Sequence, residues 1–180
     1  MVLIQKRSVR KPPQGRHYAS GELIVSNHIS YIDTLYTWVA YRSPLFVRRV
    51  TSDGSQVEVG GLLWALRRDV WSSKKTSGLQ TFKSLQEALE WTKTTTSGPL
   101  VYFAEETTSN GRGLLTFSSL LEEIPTEGSI HLVGMRYPYT KFSPSFTTGS
   151  VWRHMLSFES IRRVHEAKIH STPMAWMSSD

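Results

Sequence analysis

Short apolar runs alternate along the chain with longer segments in which apolar residues recur at helical spacing. The short runs are bounded by glycine, proline or polar residues, which is typical of buried strands. They cover residues 22–26, 45–50, 69–73, 100–106, 130–137 and 163–172. Because strands and helices alternate, the pattern predicts an α/β domain with a mixed, largely parallel central sheet flanked by helices.

Segments 30–41, 61–68 and 79–94 have the 3.6-residue periodicity of amphipathic helices. Ser30 is the expected N-cap of the first of these helices, because its hydroxyl can accept a hydrogen bond from a free backbone N–H group. Proline and glycine residues end the first and third helices. Residues 51–61 and 72–78 are predicted to be loops, since they are rich in polar residues and glycine.

The chain has 180 residues, a length that suits one domain with a hydrophobic core. Residues 1–20 are predicted to form a flexible basic leader, 21–172 the folded domain, and 173–180 a tail. The sequence contains no cysteine, which excludes disulfides, thiolate metal sites and a cysteine nucleophile.

Charge points to anionic partners. The formal net charge is +6 and the isoelectric point is about 9.7, which favours nucleic acid, acidic lipid surfaces or phosphorylated substrates. Basic residues are clumped around Arg48, Arg67, Lys74 and Arg162. No nucleic-acid reading module is recognisable, so we expect no nucleic-acid partner. No run approaches the roughly 18–20 apolar residues of a membrane span, and no secretory signal is expected.

His28 and Asp33 lie where the first predicted strand gives way to the first predicted helix. On one straight helix their side chains would point about 140° apart and would not meet. If the chain turns at 29–30 and the helix begins there, Asp33 can accept a hydrogen bond from the His28 ring. The other ring nitrogen would then be free to act as a general base. The alternative is an ordinary loop histidine beside a helix-start carboxylate stabilised by the helix dipole.

Two segments together resemble the glycerolipid acyltransferase family, the lysophosphatidic acid acyltransferase-like enzymes. The first is Asn27-His28, four residues and Asp33, as in the family's N-H-x-x-x-x-D block. The second is the segment 102–113, YFAEETTSNGRG, which is similar to the family's F-P-E-G-T block and its T-S-N-G-R variant. The resemblance covers roughly residues 20–140 and implies a glycerol-3-phosphate acyltransferase-like fold.

The resemblance implies an acyl-CoA-dependent O-acyltransferase that acylates a lysophospholipid, with lysophosphatidic acid giving phosphatidic acid. His28 would be the base that deprotonates the acceptor hydroxyl, and Asp33 would orient it. Asn27 would supply an amide near the reacting centre. The implied substrate-binding residues are Glu105, Thr107, Asn110, Gly111, Arg112, Lys74 and Lys75.

The same resemblance implies no metal and no cofactor, with acyl-CoA as a co-substrate. It implies association with the endoplasmic reticulum or lipid droplets, either peripherally or through an anchor segment absent from this sequence. Four features depart from the family pattern. Ala104 replaces proline, Glu106 replaces glycine, and Leu132 stands in place of the fourth-block proline. The second-block arginine has no clear counterpart, although Lys74 and Lys75 lie near its expected place. These departures motivate an alternative, a degenerate non-catalytic lipid- or acyl-CoA-binding relative.

Overall fold

A computed structural model describes residues 18–50, 56–71, 80–95, 98–109, 113, 115–118, 120, 129–135, 137 and 171–173. The described elements are β1 (Leu23–Ser26), α1 (Tyr31–Ala40), β2 (Leu45–Arg49), β3 (Val57–Gly60), α2 (Leu62–Trp71), β4 (Gln80–Phe82), α3 (Leu85–Thr95), β5 (Leu100–Phe103), β6 (Ile130–Val133) and β7 (Ser171–Pro173).

The strands form one sheet of seven strands in the order β4-β3-β2-β5-β1-β6-β7. The inner strands β2, β5, β1 and β6 are parallel to one another. The outer strands β3, β4 and β7 pair antiparallel. The predicted α/β class and mixed sheet are therefore confirmed, with the parallel part at the centre. The more specific glycerol-3-phosphate acyltransferase-like fold stays a prediction.

Both faces of the central strands are covered. In β1, Leu23 and Val25 belong to one apolar cluster, and Ile24 belongs to the other. The first cluster includes Leu85 and Leu89 of α3, whereas the second includes Ile32 of α1 and Trp64 and Ala65 of α2. Because parallel strands are buried on both faces, they appear in the sequence as continuous apolar runs rather than as alternating ones.

Helix α1 begins where the sequence predicted. The Ser30 hydroxyl accepts a hydrogen bond from the Ile32 N–H group at 3.3 Å, and the Asp33 carboxylate accepts one from the Ser30 N–H group at 2.9 Å. This reciprocal arrangement is a capping box, which satisfies N–H groups that the first helical turn leaves without partners. The cap holds α1 at the carboxyl end of β1.

The prediction of a strand at 69–73 is wrong for its first three residues, because α2 continues through Asp69 to Trp71. Leu62, Leu66 and Val70 all pack against the second apolar cluster, so the apolar face of this helix repeats every four residues. Residues 72 and 73 lie outside the described part of the chain.

The loop predicted at 51–61 contains strand β3, and the helix predicted from residue 79 begins only at Leu85, after strand β4. Strand β3 pairs with β2 on one side and β4 on the other. The β3 segment is only four residues long and includes a glutamate and a glycine, so its local composition gave no indication of this pairing. Of the strand predicted at 163–172, the described residues 171 and 172 lie in β7. The other residues of that prediction lie outside the described ranges.

Within the described ranges, no helix combines the length and the apolar character needed to cross a lipid bilayer.

Candidate active site

The loops that follow β1 and β5 lie side by side. The two strands are parallel neighbours, with Ser26 opposite Phe103. The loops that follow them therefore leave the sheet at the same end, the carboxyl end of the parallel strands. The Ser109 N–H group donates a hydrogen bond to the His28 carbonyl at 2.8 Å. Glu105 is buried. Its carboxylate accepts one hydrogen bond from the Leu115 N–H group at 3.0 Å and another from the His28 N–H group at 3.4 Å. The sequence-predicted His28 and Glu105 are therefore brought together.

Asn27 connects this edge to the loop after β6. Its side-chain amide donates to the Met135 carbonyl at 3.0 Å, and its side-chain oxygen accepts from the Met135 N–H group at 2.6 Å. Both ends of the amide are therefore used in holding two loops together. The structure gives Asn27 a positional role at the site.

Asp33 is fully buried and fixes the turn that carries His28. Its carboxylate accepts hydrogen bonds from the Ile29 and Ser30 N–H groups and from the Tyr137 hydroxyl. Burial raises the pKa of Asp33, while the charge of His28 and these three donors act in the opposite direction. The carboxylate thus replaces water as the partner of backbone groups at the turn.

The His28 ring is also buried, and it stacks on Phe103 with ring centroids 4.0 Å apart and an interplanar angle of 10°. Its Nε2 atom lies 3.5 Å from Oδ2 of Asp69, on helix α2. Among the described residues, no hydrogen bond joins the ring to Asp33. Asp33 therefore acts on the ring through its charge, and the carboxylate that faces Nε2 is Asp69.

The electrostatic surroundings favour protonation of His28. Burial alone would lower the pKa of this histidine, but the contact with Asp69 and the negative charges of Asp69, Asp33 and Glu105 outweigh burial and raise the pKa above 6.5. A raised pKa strengthens the His28 ring as a base.

Beside His28 lies a cavity of about 320 Å³, a size at the lower end for ligand pockets. Aromatic rings and polar side chains both line it. The lining residues are His28, Phe46, Val47, Arg48, Trp64, Ala65, Arg68, Asp69, Phe103, Glu106, Thr107 and Thr108. No group of three or more metal-binding side chains occurs in the part of the chain that the structure describes.

Two guanidinium groups share one wall of this cavity. Arg48 and Arg68 lie over the Trp64 ring, with Cζ 5.6 and 5.4 Å from the ring centroid. Arg48 pairs with Glu58 at 2.8 Å, whereas Arg68 has no carboxylate within ion-pair distance among the described residues.

Arg68 is held in an environment that disfavours its positive charge. Burial lowers the pKa of Arg68 to about 10, and the like charge of Arg48 adds to this effect. The carboxylates of Asp69, Glu58 and Glu106 oppose it. Arg68 stays charged near neutrality, so a bound anion would relieve both the repulsion and the lost hydration.

The Trp64 ring needs glycine beside it. A Cβ atom at Gly60 would lie 2.3 Å from two ring atoms of Trp64, which is far inside van der Waals contact. Gly60 therefore allows the indole to lie against the sheet, where it supports both guanidinium groups.

Glu106 stands at the position where the F-P-E-G-T pattern has glycine, and its backbone has a conformation that favours glycine. Its φ angle is 53°, in the left-handed region that side chains disfavour. The Tyr102 hydroxyl donates to its carboxylate at 2.9 Å, and Arg49 Nε lies 3.6 Å from the same oxygen. These contacts compensate for the backbone strain and fix the position of the Glu106 side chain.

Of the sequence-predicted binding residues, Glu105 and Thr107 lie at the site, whereas five lie outside the described residues. Those five are Lys74, Lys75, Asn110, Gly111 and Arg112. Sequence reasoning missed three residues that the cavity contains: Asp69, Arg48 and Arg68. The two arginines belong to basic clumps visible in the sequence, but Asp69 carried no comparable signal.

The chain is similar to lysophospholipid acyltransferase LPEAT1 of Arabidopsis thaliana, with 32% identity over 167 residues. The match covers 87% of this chain but only 39% of the plant protein. No family model matches the chain, and no solved structure matches it. The similarity supports a relationship to acyltransferases in general.

Asp33 should be required for stability as well as for the site. Replacing Asp33 with alanine leaves two buried N–H groups and a hydroxyl without their acceptor, so we expect the free energy of unfolding to fall by about 3 kcal/mol or more. Tyr137→Phe removes only one donor and should cost about 1.5–3 kcal/mol. Urea denaturation measures both values.

Glu90→Ala is the matched control, because this carboxylate is exposed on α3. It should change the free energy of unfolding by less than about 0.5 kcal/mol. Equal stabilities of Asp33→Ala and Glu90→Ala would contradict the assigned role of Asp33.

Proposed function

We propose that this chain is an acyl-CoA-dependent O-acyltransferase that transfers a fatty acyl group to the free hydroxyl of a lysophospholipid. Lysophosphatidic acid is the favoured acceptor, and phosphatidic acid is then the product. The observation that carries the proposal is the buried His28 ring, which lies among three carboxylates and lines a cavity that also contains two arginines.

In this reaction His28 takes the proton of the acceptor hydroxyl as its oxygen attacks the thioester carbonyl of acyl-CoA. The new C–O ester bond forms, the C–S bond breaks, and the proton passes from His28 to the departing thiolate. The negative charges of Asp33, Asp69 and Glu105 stabilise the imidazolium that exists between these steps. The reaction uses no protein nucleophile, so the absence of cysteine is no obstacle.

The acceptor phosphate is proposed to bind at Arg68 and Arg48. A guanidinium group can donate two hydrogen bonds to phosphate oxygens, and it does so more strongly in a partly buried site. The shared cavity brings this anion site close to the imidazole. The sequence-predicted residues Lys74, Lys75, Asn110, Gly111 and Arg112 are proposed to complete the binding of phosphate groups.

We propose that the chain works at the membrane of the endoplasmic reticulum or of lipid droplets, where lysophospholipids are found. The net charge of +6 favours an anionic surface. Val39 of α1 and Leu63 of α2 are 73% and 82% exposed, on the two helices that cover the same face of the sheet. Exposed apolar side chains on this face support contact with lipid.

His28→Ala should abolish acyl transfer while preserving the fold. We expect kcat/KM to fall by roughly 100- to 10,000-fold, because the acceptor hydroxyl loses its base. The assay is CoA release with oleoyl-CoA and a panel of lysophospholipids. His131→Gln is the control, since His131 is equally buried but lies on β6 and does not line the cavity. Turnover of His28→Ala at the rate of the unmodified protein would overturn the mechanism.

Arg68→Gln should weaken binding of a phosphorylated acceptor. Loss of charge-assisted hydrogen bonds worth about 1.5–3 kcal/mol corresponds to a rise in KM of roughly 10- to 150-fold for lysophosphatidic acid. Arg67→Gln removes the same charge from an exposed position on the same helix and should leave KM nearly unchanged. Equal effects of the two variants would show that net charge matters rather than a phosphate contact.

Glu106 favours a second candidate function, a non-catalytic lipid- or acyl-CoA-binding protein, because its carboxylate lies on the wall of the proposed phosphate site. Comparison of the unmodified chain with Glu106→Gly separates the two functions. Vesicle binding without CoA release by either protein would favour the binder. Turnover that appears only in Glu106→Gly would identify an enzyme inactivated by this one substitution.

A further inference from the structure

We propose that Asp69 is the positioning residue for the His28 imidazole, whereas Asp33 fixes the loop that carries His28. This proposal deepens the proposed acyltransferase function and rests on it for its catalytic consequence. The contact itself can be tested without turnover.

The geometry of the contact is the first argument. Nε2 of His28 and Oδ2 of Asp69 lie 3.5 Å apart, with only 6% and 11% of the two side chains exposed. Nε2 is buried and has no hydrogen-bond partner of ordinary length among the described residues. Catalytic hydrogen bonds are often long before the substrate binds and shorten in the complex. The separation therefore fits an ion pair that tightens when His28 becomes protonated.

Asp69 is itself held in place. The hydroxyl of Thr34, a fully buried residue of α1, donates a hydrogen bond at 2.6 Å to the same Oδ2 atom that faces His28. Helix α2 thus supplies the Asp69 carboxylate, and Thr34 of helix α1 fixes the orientation of that carboxylate. The Phe103 ring lies flat against the imidazole and restricts tilting of the His28 ring out of its plane.

Asp33 is not equipped for this role, because its carboxylate already accepts hydrogen bonds from Ile29, Ser30 and Tyr137. The two carboxylates therefore have separate duties. Asp33 fixes the loop that carries His28, and Asp69 faces the ring. An attraction that becomes strong only after His28 has taken a proton stabilises the transition state more than the ground state.

Several other charged groups surround His28, and a test must separate them from Asp69. The negative charges of Asp33 and Glu105 also favour the protonated ring, whereas burial opposes it. Arg48, Arg68 and Glu106 line the same cavity. Glu106→Gln removes one carboxylate from this cavity without altering the contact between Asp69 and His28, and it serves as the matched control.

The experiment follows the titration of His28 by NMR in protein labelled with ¹⁵N-histidine, with the His28 signal assigned by its loss in His28→Gln. Asp69→Asn should move the titration midpoint of His28 to lower pH, because the protonated ring loses its nearest negative charge. Thr34→Val should move it in the same direction by a smaller amount, since Asp69 is kept but is less firmly held. Glu106→Gln should move it less than Asp69→Asn does.

The pH dependence of acyl transfer supplies the second measurement. The base must be neutral, so kcat/KM rises with pH through the pKa of His28. In Asp69→Asn this acidic limb should shift to lower pH. We expect kcat to fall roughly tenfold, the loss of about 1.4 kcal/mol, with KM for the acceptor nearly unchanged.

The outcomes distinguish this proposal from the proposed function. A folded Asp69→Asn protein whose His28 midpoint does not move would overturn the positioning role, whatever its activity. Turnover by His28→Ala would overturn the enzyme proposal and leave the NMR result standing. If Asp69→Asn does not fold, Thr34→Val decides: an unchanged midpoint in that variant argues against the proposal, and a lowered midpoint supports it.

Discussion

The parallel pairing of β1 with β5 is the constraint on which the site depends. Two parallel strands have their carboxyl ends at the same end of the sheet. The loops that carry His28 and Glu105 therefore start side by side. Hydrogen bonds between these loops, from Ser109 to the His28 carbonyl and from the His28 N–H group to Glu105, then fix their separation. Without this pairing the two motifs would be separate features of the sequence and would share no cleft.

The second feature of the site is a set of charges held away from water. Arg68 is half-buried beside Arg48, and His28 is buried among carboxylates. Charges in such surroundings interact more strongly than they would in water, and an unpaired one is costly. The cavity therefore combines a stabilised imidazolium with an arginine whose charge is only partly compensated. This combination suits proton transfer next to a bound anion.

Sequence patterns predicted the inner sheet well and its outer part poorly. Strands β1, β5 and β6 are largely apolar because both of their faces are buried, and each was recognised. Strand β2, which ends in two arginines, was also recognised. Strand β3 was predicted as loop. Its Val-Glu-Val-Gly segment is short, and it forms a strand because it pairs with β2 on one side and β4 on the other. The end of α2 was predicted as strand, whereas Val70 continues the four-residue repeat of Leu62 and Leu66 along the helix.

The sequence by itself determined the local arrangement at the start of α1. Ser30 and Asp33 are three residues apart, and their capping box requires only the hydrogen bonds of one helical turn. The motif around His28 and the segment at Glu105 could also be identified from the residues alone. Only the tertiary structure decided that Asp69 faces the imidazole and that Arg48 and Arg68 share one wall with it. These residues come from β2 and α2, and their meeting depends on how a helix packs across a sheet, which no local spacing encodes.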